Sequence, residues 1–258
     1  RYLSAYANAS FNYRKRYILS GSFRQDASNV FGQRSNQRWT PLWSTGAAWR
    51  LSDEPFYGAS WLPSLKLRLT YGYSGQAIAT QAAIPIIYYQ GTSALTGLPQ
   101  ASITTPANPD LRWQKTATLN GAVDFATRNK RISGSIEWYR KWSKDLLSRS
   151  PVDPTTGFNS LTVNAGSIAG KGLDITINTE NIRSPDFAWQ STWLSNYNRN
   201  IVTDYYAAPL YARDYVLAGN TLNPVKGRDL NGLYALPFAG LNPETGDPMG
   251  YLDGEEST

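Results

Sequence analysis

Leu65-Lys66-Leu67-Arg68-Leu69-Thr70-Tyr71 is the stretch that decides the fold, because apolar and polar side chains alternate through it without a break. Successive side chains of a β-strand point to opposite faces, so this stretch predicts a strand with one apolar and one polar face. Lys66, Arg68 and Thr70 then share the polar face.

Other stretches of the chain show the same two-residue period. Taken together, they predict strands at residues 2–12, 17–26, 43–51, 65–71, 116–125, 132–139, 173–178 and 187–196. The segment from Asn198 to Thr258 shows no comparable pattern, and we predict no strand there.

The connections between the predicted strands alternate between short and long. Basic residues form two tight turns, at 14–16 and 128–130, whereas the segments 73–112 and 141–170 have no sustained period and are predicted as long loops. Antiparallel strands that cross a membrane need tight turns on one side and can carry large loops on the other. The chain is therefore predicted to be all-β, an antiparallel transmembrane β-barrel segment with short periplasmic turns and long extracellular loops.

Aromatic residues collect near the ends of the predicted strands, where the girdles of a membrane barrel would lie. They are Phe11, Tyr13, Tyr17, Phe23, Trp43, Trp49, Tyr71, Trp138 and Trp189. We interpret residues 1–198 as barrel strands with their connecting loops, and residues 199–258 as an extracellular loop region that is incomplete at its C-terminus.

Composition narrows the classes of protein that fit. The chain has 258 residues, of which 41% are hydrophobic, and its mean hydropathy of −0.43 is too low for helical membrane spans. The longest nearly apolar run, 82–89, falls short of the ~20 residues that a transmembrane helix needs. The absence of cysteine and histidine excludes disulfides, thiol or imidazole zinc sites and histidine-dependent catalytic triads within this chain.

The net charge of +6 does not indicate nucleic-acid binding. Lys66 and Arg68 lie on the polar face of a predicted strand and Arg14 to Arg16 lie in a turn, so lining of a barrel lumen and solvation of a turn explain them better. Strand pattern already runs at Arg1, and residues 253–258 have loop composition. Since eight strands close only a small barrel with a filled interior, we expect the chain to be about eight strands of a larger barrel.

Several stretches, in this order along the chain, resemble one family. They are Ser20-Gly21-Ser22-Phe23-Arg24-Gln25-Asp26 with Phe31-Gly32, Ala48-Trp49-Arg50-Leu51-Ser52-Asp53-Glu54-Pro55-Phe56, Leu65 to Gly72, Asn108-Pro109-Asp110-Leu111-Arg112-Trp113, Asn164 to Asp174, and Gly240-Leu241-Asn242-Pro243-Glu244-Thr245-Gly246-Asp247-Pro248. The chain resembles the starch-utilisation (SusC) and RagA-type TonB-dependent outer-membrane transporters of the Bacteroidetes. It departs from their usual pattern at Ala27, Gln76, Gln114 and Gly170.

The resemblance covers the later part of the barrel only. It implies a multi-pass barrel in the outer membrane of a Gram-negative bacterium that imports glycan oligomers or peptides without changing them chemically. It further implies a SusD-like surface lipoprotein as partner and contact with the TonB complex through parts absent from this chain. Neither an enzymatic activity nor a cofactor is expected.

Two sets of residues are candidates for function. The polar strand faces would line the lumen with Arg24, Asp26, Lys66, Arg68, Asp124, Glu137 and Asp174. Aromatic residues of the loops could stack on sugar rings or hold peptides, or simply pack the loops: Tyr88, Tyr89, Tyr205, Tyr206, Tyr211, Tyr234 and Phe238. A glycosidase-like pair among the wall carboxylates is conceivable, but the sequence brings no two of them together.

Two motifs have both a functional and a structural interpretation. The Gly-rich stretch 164–172 lacks the ending of a P-loop and leads into a strand, so we predict a loop-to-strand entry rather than a phosphate site. The stretch 242–247 lies near Asp253, Glu255 and Glu256 and could be imagined as a calcium site. Its Asn, Pro and Gly residues favour a turn, and no metal is predicted.

Two other classes of protein also fit the alternation. One is a passive porin-like barrel, which would lack the plug domain of the transporters. The other is a soluble secreted β-domain that binds glycan.

Overall fold

One antiparallel sheet of eight strands dominates the computed structural model, which describes residues 2–28, 39–76, 83–207, 213–216, 223–235, 237–252 and 254–257. The strands are β1 (Tyr2–Tyr13), β2 (Tyr17–Ser28), β3 (Trp39–Arg50), β4 (Ser64–Gln76), β5 (Ile86–Thr92), β6 (Pro99–Thr105), β7 (Gln114–Ala126), β8 (Ile132–Pro151), β9 (Ser160–Arg183), β10 (Ala188–Tyr205), β11 (Gly240–Leu241), β12 (Pro248–Leu252) and β13 (Glu255–Ser257). The large sheet has the order β1-β2-β3-β4-β7-β8-β9-β10.

The helical segments are short. Two 3₁₀ turns span Leu51–Asp53 and Pro154–Thr156, and the helix α1 spans Arg213–Val216. Among the residues that the structure describes, no helix has the length and apolarity required to cross a bilayer.

The apolar face of the large sheet is not covered by any other layer within the described residues. Leu3 at one edge of the sheet is 61% exposed and Trp193 at the other edge is 56% exposed, as are many apolar side chains between them. A soluble sandwich packs one such face against a second sheet. Exposure of large apolar side chains from one edge of this face to the other instead fits a sheet that turns it toward lipid, and the predicted fold class is confirmed.

Two clusters of aromatic rings lie on this face. Near the short turns, Tyr17 stacks on Trp49 at 6.3 Å between ring centroids, and Phe56 packs edge-on against Trp49 at 6.3 Å. Farther along the strands, Trp43 lies 5.7 Å from Tyr71 and 5.5 Å from Tyr73. Trp49 lies six residue steps after Trp43 on β3, roughly 20 Å at ~3.4 Å per step, a spacing suited to the two girdles of a barrel.

The turn at 14–16 has the geometry that joins twisted antiparallel strands. Arg14 and Lys15 have φ of 52° and 59°, and the Arg16 amide donates to the Tyr13 carbonyl at 3.1 Å. Positive φ at both central residues defines a type I′ turn, whose twist matches that of the strands. The predicted tight basic turn is confirmed, and a second one follows β7, where Lys130 has φ of 54°.

Glu54 ties this turn to the next connection on the same side of the sheet. Its carboxylate accepts hydrogen bonds from the Trp49 indole at 3.0 Å and from Arg16 at 3.3 Å. Hydrogen bonds from the Tyr17 hydroxyl and from Trp49, with the charge of Arg16, hold the pKa of Glu54 below its usual value. The stretch 48–56 therefore links the β1–β2 turn to the β3–β4 connection through hydrogen bonds.

The prediction of a single long loop at 73–112 is wrong. β4 continues to Gln76, and β5 and β6 pair as a separate antiparallel hairpin. Both faces of this hairpin are largely exposed. A hairpin hydrated on both faces has no need to alternate apolar with polar residues, so its sequence lacked the period that marks a strand.

The prediction of a long loop at 141–170 is also wrong, since β8 runs on to Pro151 and β9 begins at Ser160. The register of the pair shifts between Ser143 and Leu146, and Asp145 has φ of 58°. A β-bulge of this kind inserts extra residues on one strand and breaks the two-residue period. The bulge explains why the alternation ended near Lys141 although the strand did not.

The prediction that no strand follows Asn198 is wrong as well. β10 extends to Tyr205 with a register shift between Val202 and Asp204, and β11, β12 and β13 form a small sheet. The strands of that sheet have two to five residues. Segments so short contain too few residues to display a period.

Two asparagines fix the segment 106–113 to β9. Asn108 donates to the Thr162 carbonyl at 2.7 Å. Asn164 donates to the carbonyls of Arg112 at 2.9 Å and Asp145 at 2.7 Å, and its side-chain oxygen accepts from the Arg112 amide at 2.8 Å. Two of the stretches that carry the family resemblance are therefore bound to each other, although about fifty residues separate them.

Gly134 of β8 lies against the backbone of β9 so closely that a methyl group at this position would overlap the carbonyl oxygen of Thr176. We expect Gly134→Ala to destabilise the folded barrel of the full-length protein by about 1–3 kcal/mol, because backbone must move to admit the methyl group. The denaturant midpoint of the purified protein measures this. Gly121→Ala is the matched control, since its methyl group would lie 3.9 Å from Leu69. Equal midpoints for the two variants would contradict the expectation.

Asn164→Ala removes the partner of two backbone carbonyls and one backbone amide. We expect it to lower the free energy of opening of the segment 106–113 by about 1–3 kcal/mol, leaving the large sheet intact. Amide hydrogen exchange at Arg112 reports this opening. The control is Asn159→Ala on the β8–β9 connection, since no hydrogen bond of its side chain is seen in the described part of the chain. Unchanged exchange at Arg112 in Asn164→Ala would show that the asparagine does not hold the segment.

Candidate functional site

The polar face of the large sheet carries an ion cluster that joins three neighbouring strands. The guanidinium of Arg68 on β4 binds both carboxylate oxygens of Asp124 on β7 at 2.8 Å. The same guanidinium reaches Glu137 on β8, also at 2.8 Å. The sheet register explains the meeting, because Arg68 lies opposite Ala122 and Ala122 lies opposite Glu137.

Water reaches this cluster, since the three side chains are 30–34% exposed. An isolated ion pair at such exposure contributes little to stability, but a bidentate guanidinium shared by two carboxylates is fixed in orientation. The cluster is therefore a rigid charged patch on the wall. Both carboxylates bind the same guanidinium, an arrangement unlike the separate acid and base of a glycosidase pair.

Asp174 continues the patch on β9. It lies directly opposite Glu137, and Asn196 of β10 donates a hydrogen bond to its carboxylate. Asn198 donates in turn to the side chain of Asn196 at 3.0 Å. Lys66 lies opposite Asp124 in the register. Five of the predicted wall residues, Lys66, Arg68, Asp124, Glu137 and Asp174, thus lie together on one face.

Arg24 and Asp26 form a separate pair on β2. The Arg24 Nε atom binds the Asp26 carboxylate at 2.7 Å, and Asp26 is buried. Asp26 lies opposite Thr40 of β3, away from the Arg68 cluster. These two residues share the polar face with the other wall residues but do not contact them.

The sequence did not indicate two positions on this face at which a glycine makes room for the side chain of a neighbouring strand. The ring of Tyr139 lies across Gly172, where any side chain would overlap it, and Asn200 fills the space at Gly170 in the same way. The ammonium of Lys141 lies 4.7 Å from the centre of the Tyr139 ring. The prediction of a loop-to-strand entry at 164–172 is wrong, because the whole stretch lies inside β9, and its glycines make room for side chains of β8 and β10.

The predicted loop aromatics are spread over several elements. Tyr88 and Tyr89 lie on β5 and are 63% and 77% exposed, and Tyr206 and Phe238 are also exposed. The Tyr205 hydroxyl shares a hydrogen bond with Ser148 at 3.1 Å. In the described part of the chain, no ring contact joins any two of the candidates, and Tyr211 lies outside that part.

Tyr234 is partly buried. It packs edge-on against Tyr215, with ring centroids 6.1 Å apart. Its hydroxyl is buried and has no hydrogen-bond partner within the described residues. This residue is placed to pack the 223–235 segment.

The stretch 242–247 is a turn between β11 and β12. The side-chain oxygen of Asn242 accepts from the amides of Glu244 at 2.9 Å and Thr245 at 3.2 Å, and Gly246 has φ of 76°. The predicted turn is confirmed. Among the described residues, no group of carboxylates is arranged to hold a metal ion.

The ends of β8, β9 and β10 far from the short turns enclose a cleft of about 290 Å³ that the sequence did not indicate. Leu146, Ile168, Val202, Tyr205 and Leu230 line it. Beside it, Lys226 binds Asp204 at 2.9 Å, and this hydrogen bond raises the pKa of Lys226. The cleft depends on the segment 223–230, whose position no local pattern predicts.

Comparison with known proteins agrees with this geometry. Residues 1–247 match a family model described as "TonB dependent receptor-like, beta-barrel". The chain is 32% identical over 204 residues to TonB-dependent receptor P26 of Formosa agariphila, covering 78% of this chain and 20% of that protein. It is 30% identical over 239 residues to TonB-dependent receptor SusC of Bacteroides thetaiotaomicron, covering 84% of this chain and 23% of that protein.

Solved structures show the same fold. The RagAB peptide importer in its "closed-closed" state superposes with a TM-score of 0.82 at 24% identity, over 98% of this chain and 27% of that one. The RagAB peptide transporter gives the same TM-score, 0.82. The chain spans about a fifth of the length of the curated relatives that it matches. The resemblance inferred from the sequence is confirmed, and the chain belongs to the β-barrel family of TonB-dependent receptors, a family of receptors and transporters rather than of enzymes.

Proposed function

We propose that this chain forms part of the barrel wall of a TonB-dependent importer in the outer membrane of a Gram-negative bacterium, which moves glycan oligomers or peptides into the periplasm. One observation carries the proposal. The two faces of the sheet differ in chemistry across all eight strands, with exposed apolar side chains on one and ion pairs and amides on the other. A sheet with these faces fits between lipid and a water-filled lumen.

Import requires no chemical change in the substrate. The wall offers fixed charges and amides, among them Arg68, Glu137 and Asn196, against which a plug domain of the full-length protein would rest. Displacement of the plug by TonB would open a path along this wall. The TonB complex would act through parts of the protein outside this chain, without a cofactor and without catalysis.

The β5–β6 hairpin is the part of the loops best suited to meet a substrate. One of its faces presents Tyr88 beside Gln90 and Ser102, whose side chains are joined by a hydrogen bond of 3.0 Å. An aromatic ring next to amide and hydroxyl groups suits both sugar rings and peptides. The hairpin carries no charged residue, which favours a neutral ligand.

The other face of the hairpin would meet the surface lipoprotein. Ile87 lies directly opposite Ile103, Tyr89 follows on the same face, and all three are at least half exposed. A two-stranded hairpin is marginally stable in water by itself, and a contiguous exposed apolar face usually marks a protein contact. The hairpin would therefore lie between the two, with its Tyr88 face on the substrate and its Tyr89 face on the lipoprotein.

Dependence on TonB separates this proposal from a passive porin. Removing the TonB-contacting segment of the full-length protein should abolish uptake of a fluorescently labelled oligosaccharide or peptide by whole cells, because the plug would stay in place. Binding of the same probe at the cell surface should persist, which provides the internal control. Uptake that continues at the original rate would favour a passive porin. Recovery of the protein in the soluble fraction without detergent would favour a secreted domain.

The two faces of the hairpin predict different results for adjacent tyrosines. Tyr88→Ala in the full-length protein should weaken binding of the substrate by about 5- to 30-fold, as expected for loss of a stacked ring at ~1–2 kcal/mol. Tyr89→Ala should leave substrate affinity nearly unchanged when the lipoprotein is absent and weaken capture of the lipoprotein. Titration of each variant with labelled oligosaccharide or peptide, with and without lipoprotein, measures both effects. Equal substrate affinities for Tyr88→Ala and the parent protein would remove Tyr88 from the proposed contact.

A further inference from the structure

Five basic residues lie on the outward face of the sheet, toward the ends of the strands far from the short turns. Three of them are direct neighbours across strands: Arg140 of β8 lies opposite Lys171 of β9, which lies opposite Arg199 of β10. The other two, Lys115 of β7 and Lys144 of β8, also lie opposite each other. We call these five residues the basic patch.

The orientation of the patch follows from the alternation along each strand. Arg140 follows Trp138 by two residues on β8, so both side chains lie on the exposed apolar face. The next residue, Lys141, points to the other face, where its ammonium lies over Tyr139. The guanidinium of Arg140 lies 5.5 Å from the ring centre of Trp142, which fixes both side chains on the outward face.

Direct cross-strand neighbours of like charge repel each other, and such pairs destabilise a sheet. Within the described ranges, none of the five residues forms an ion pair with a carboxylate. The inner face contrasts with this, since Arg68 there binds two carboxylates. A row of exposed cations without carboxylate partners is therefore a site at which an anion would be stabilising.

The level of the patch along the strands indicates where that anion comes from. Arg140, Lys171 and Arg199 form a row across three strands. Two residues nearer the short turns, a second row consists of the apolar residues Trp138, Leu173 and Tyr197, each opposite the next. On the other side of the row lies Trp142 opposite Ala169. Tryptophan and tyrosine mark the boundary between hydrocarbon and headgroups in membrane proteins. The cations therefore lie at the depth of lipid headgroups, toward the ends of the strands far from the short turns.

We propose that the basic patch binds the phosphate groups of a phosphorylated outer-leaflet lipid, with Trp138 and Tyr197 packing against the upper part of its acyl chains. Directly opposed residues of neighbouring strands are about 5 Å apart, so Arg140, Lys171 and Arg199 can contact one or two phosphates together. Arginine binds phosphate through two parallel hydrogen bonds and lysine through a point charge. The inference rests on the proposed location of the barrel in the outer membrane.

The test compares lipids on the purified full-length protein in a non-ionic detergent. Diphosphoryl lipid A should bind at least about 10-fold more tightly than phosphatidylcholine, as measured by titration in native mass spectrometry. The variant Arg140→Gln/Lys171→Gln should bind lipid A about 30-fold more weakly than the parent protein, which corresponds to ~1 kcal/mol for each charge near a lipid surface.

A control variant carries the same change in charge on the opposite face. Lys66→Gln/Lys141→Gln alters side chains that point away from lipid, one of them adjacent to Arg140 in sequence, and should bind lipid A like the parent protein. The exchange Arg140→Lys/Lys171→Arg keeps both charges and should retain most of the binding. This exchange separates the loss of charge from the change of side chain at the two positions.

Several results would overturn the inference. One is equal lipid A affinity for the patch variant and the control variant, and another is equal affinity of the parent protein for lipid A and phosphatidylcholine. Complete displacement of lipid A by millimolar inorganic phosphate would assign the patch to a soluble anion. Capture of an acidic protein at the patch, without lipid preference, would assign it to a protein partner.

The proposed function fails by a different measurement. If the protein fractionates with the outer membrane and imports its substrate but shows no lipid preference, the inference falls and the proposed function remains. If the protein is absent from the outer membrane fraction, both fall.

Discussion

Backbone hydrogen bonding is the constraint on which the rest of this structure depends. In the interior of a bilayer no water is present to pair an amide or a carbonyl, so each strand must pair with its neighbours. The register runs from β1 to β10 through directly adjacent strands, and its shifts lie near Trp189, beyond Ser143 of β8 and beyond Val202 of β10. The β8–β9 ladder is regular from Ile132 to Ser143 and shifts only beyond Ser143, on the side far from the short turns. An uninterrupted ladder keeps every side chain on its assigned face.

This regular ladder separates two electrostatic environments. On the polar face Arg68 is neutralised by Asp124 and Glu137, so this face carries paired charges. On the outer face the apolar rows end at Arg140, Lys171 and Arg199, for which the described residues supply no carboxylate. The same two-residue alternation therefore places the paired charges on one face of the sheet and this row of cations on the other.

The sequence predicted the membrane-crossing part of the strands and missed their extensions. The stretch 65–71 lies wholly inside β4, and the turn at 14–16 has the predicted place and compactness. Beyond the bilayer both faces of a strand are hydrated, so β5, β6 and the outer halves of β8 and β9 had no reason to alternate. Bulges near Asp145 and Thr203 removed what period remained. The candidate site was also predicted only in part. The alternation identified the residues of the polar face but did not indicate which of them contact each other.

The sequence by itself determined that the chain is a series of two-faced antiparallel strands with basic turns, because the identity of each side chain and the two-residue period suffice to separate the faces. Only the tertiary structure decided the contacts between strands, since these depend on register. Register brings Arg68 to Glu137 across β7, places Asn164 against Arg112 and aligns Arg140 with Lys171 and Arg199. A shift of two residues in a pairing would keep every side chain on its face but change which residues lie opposite one another, and the two-residue alternation of the sequence does not distinguish between such registers.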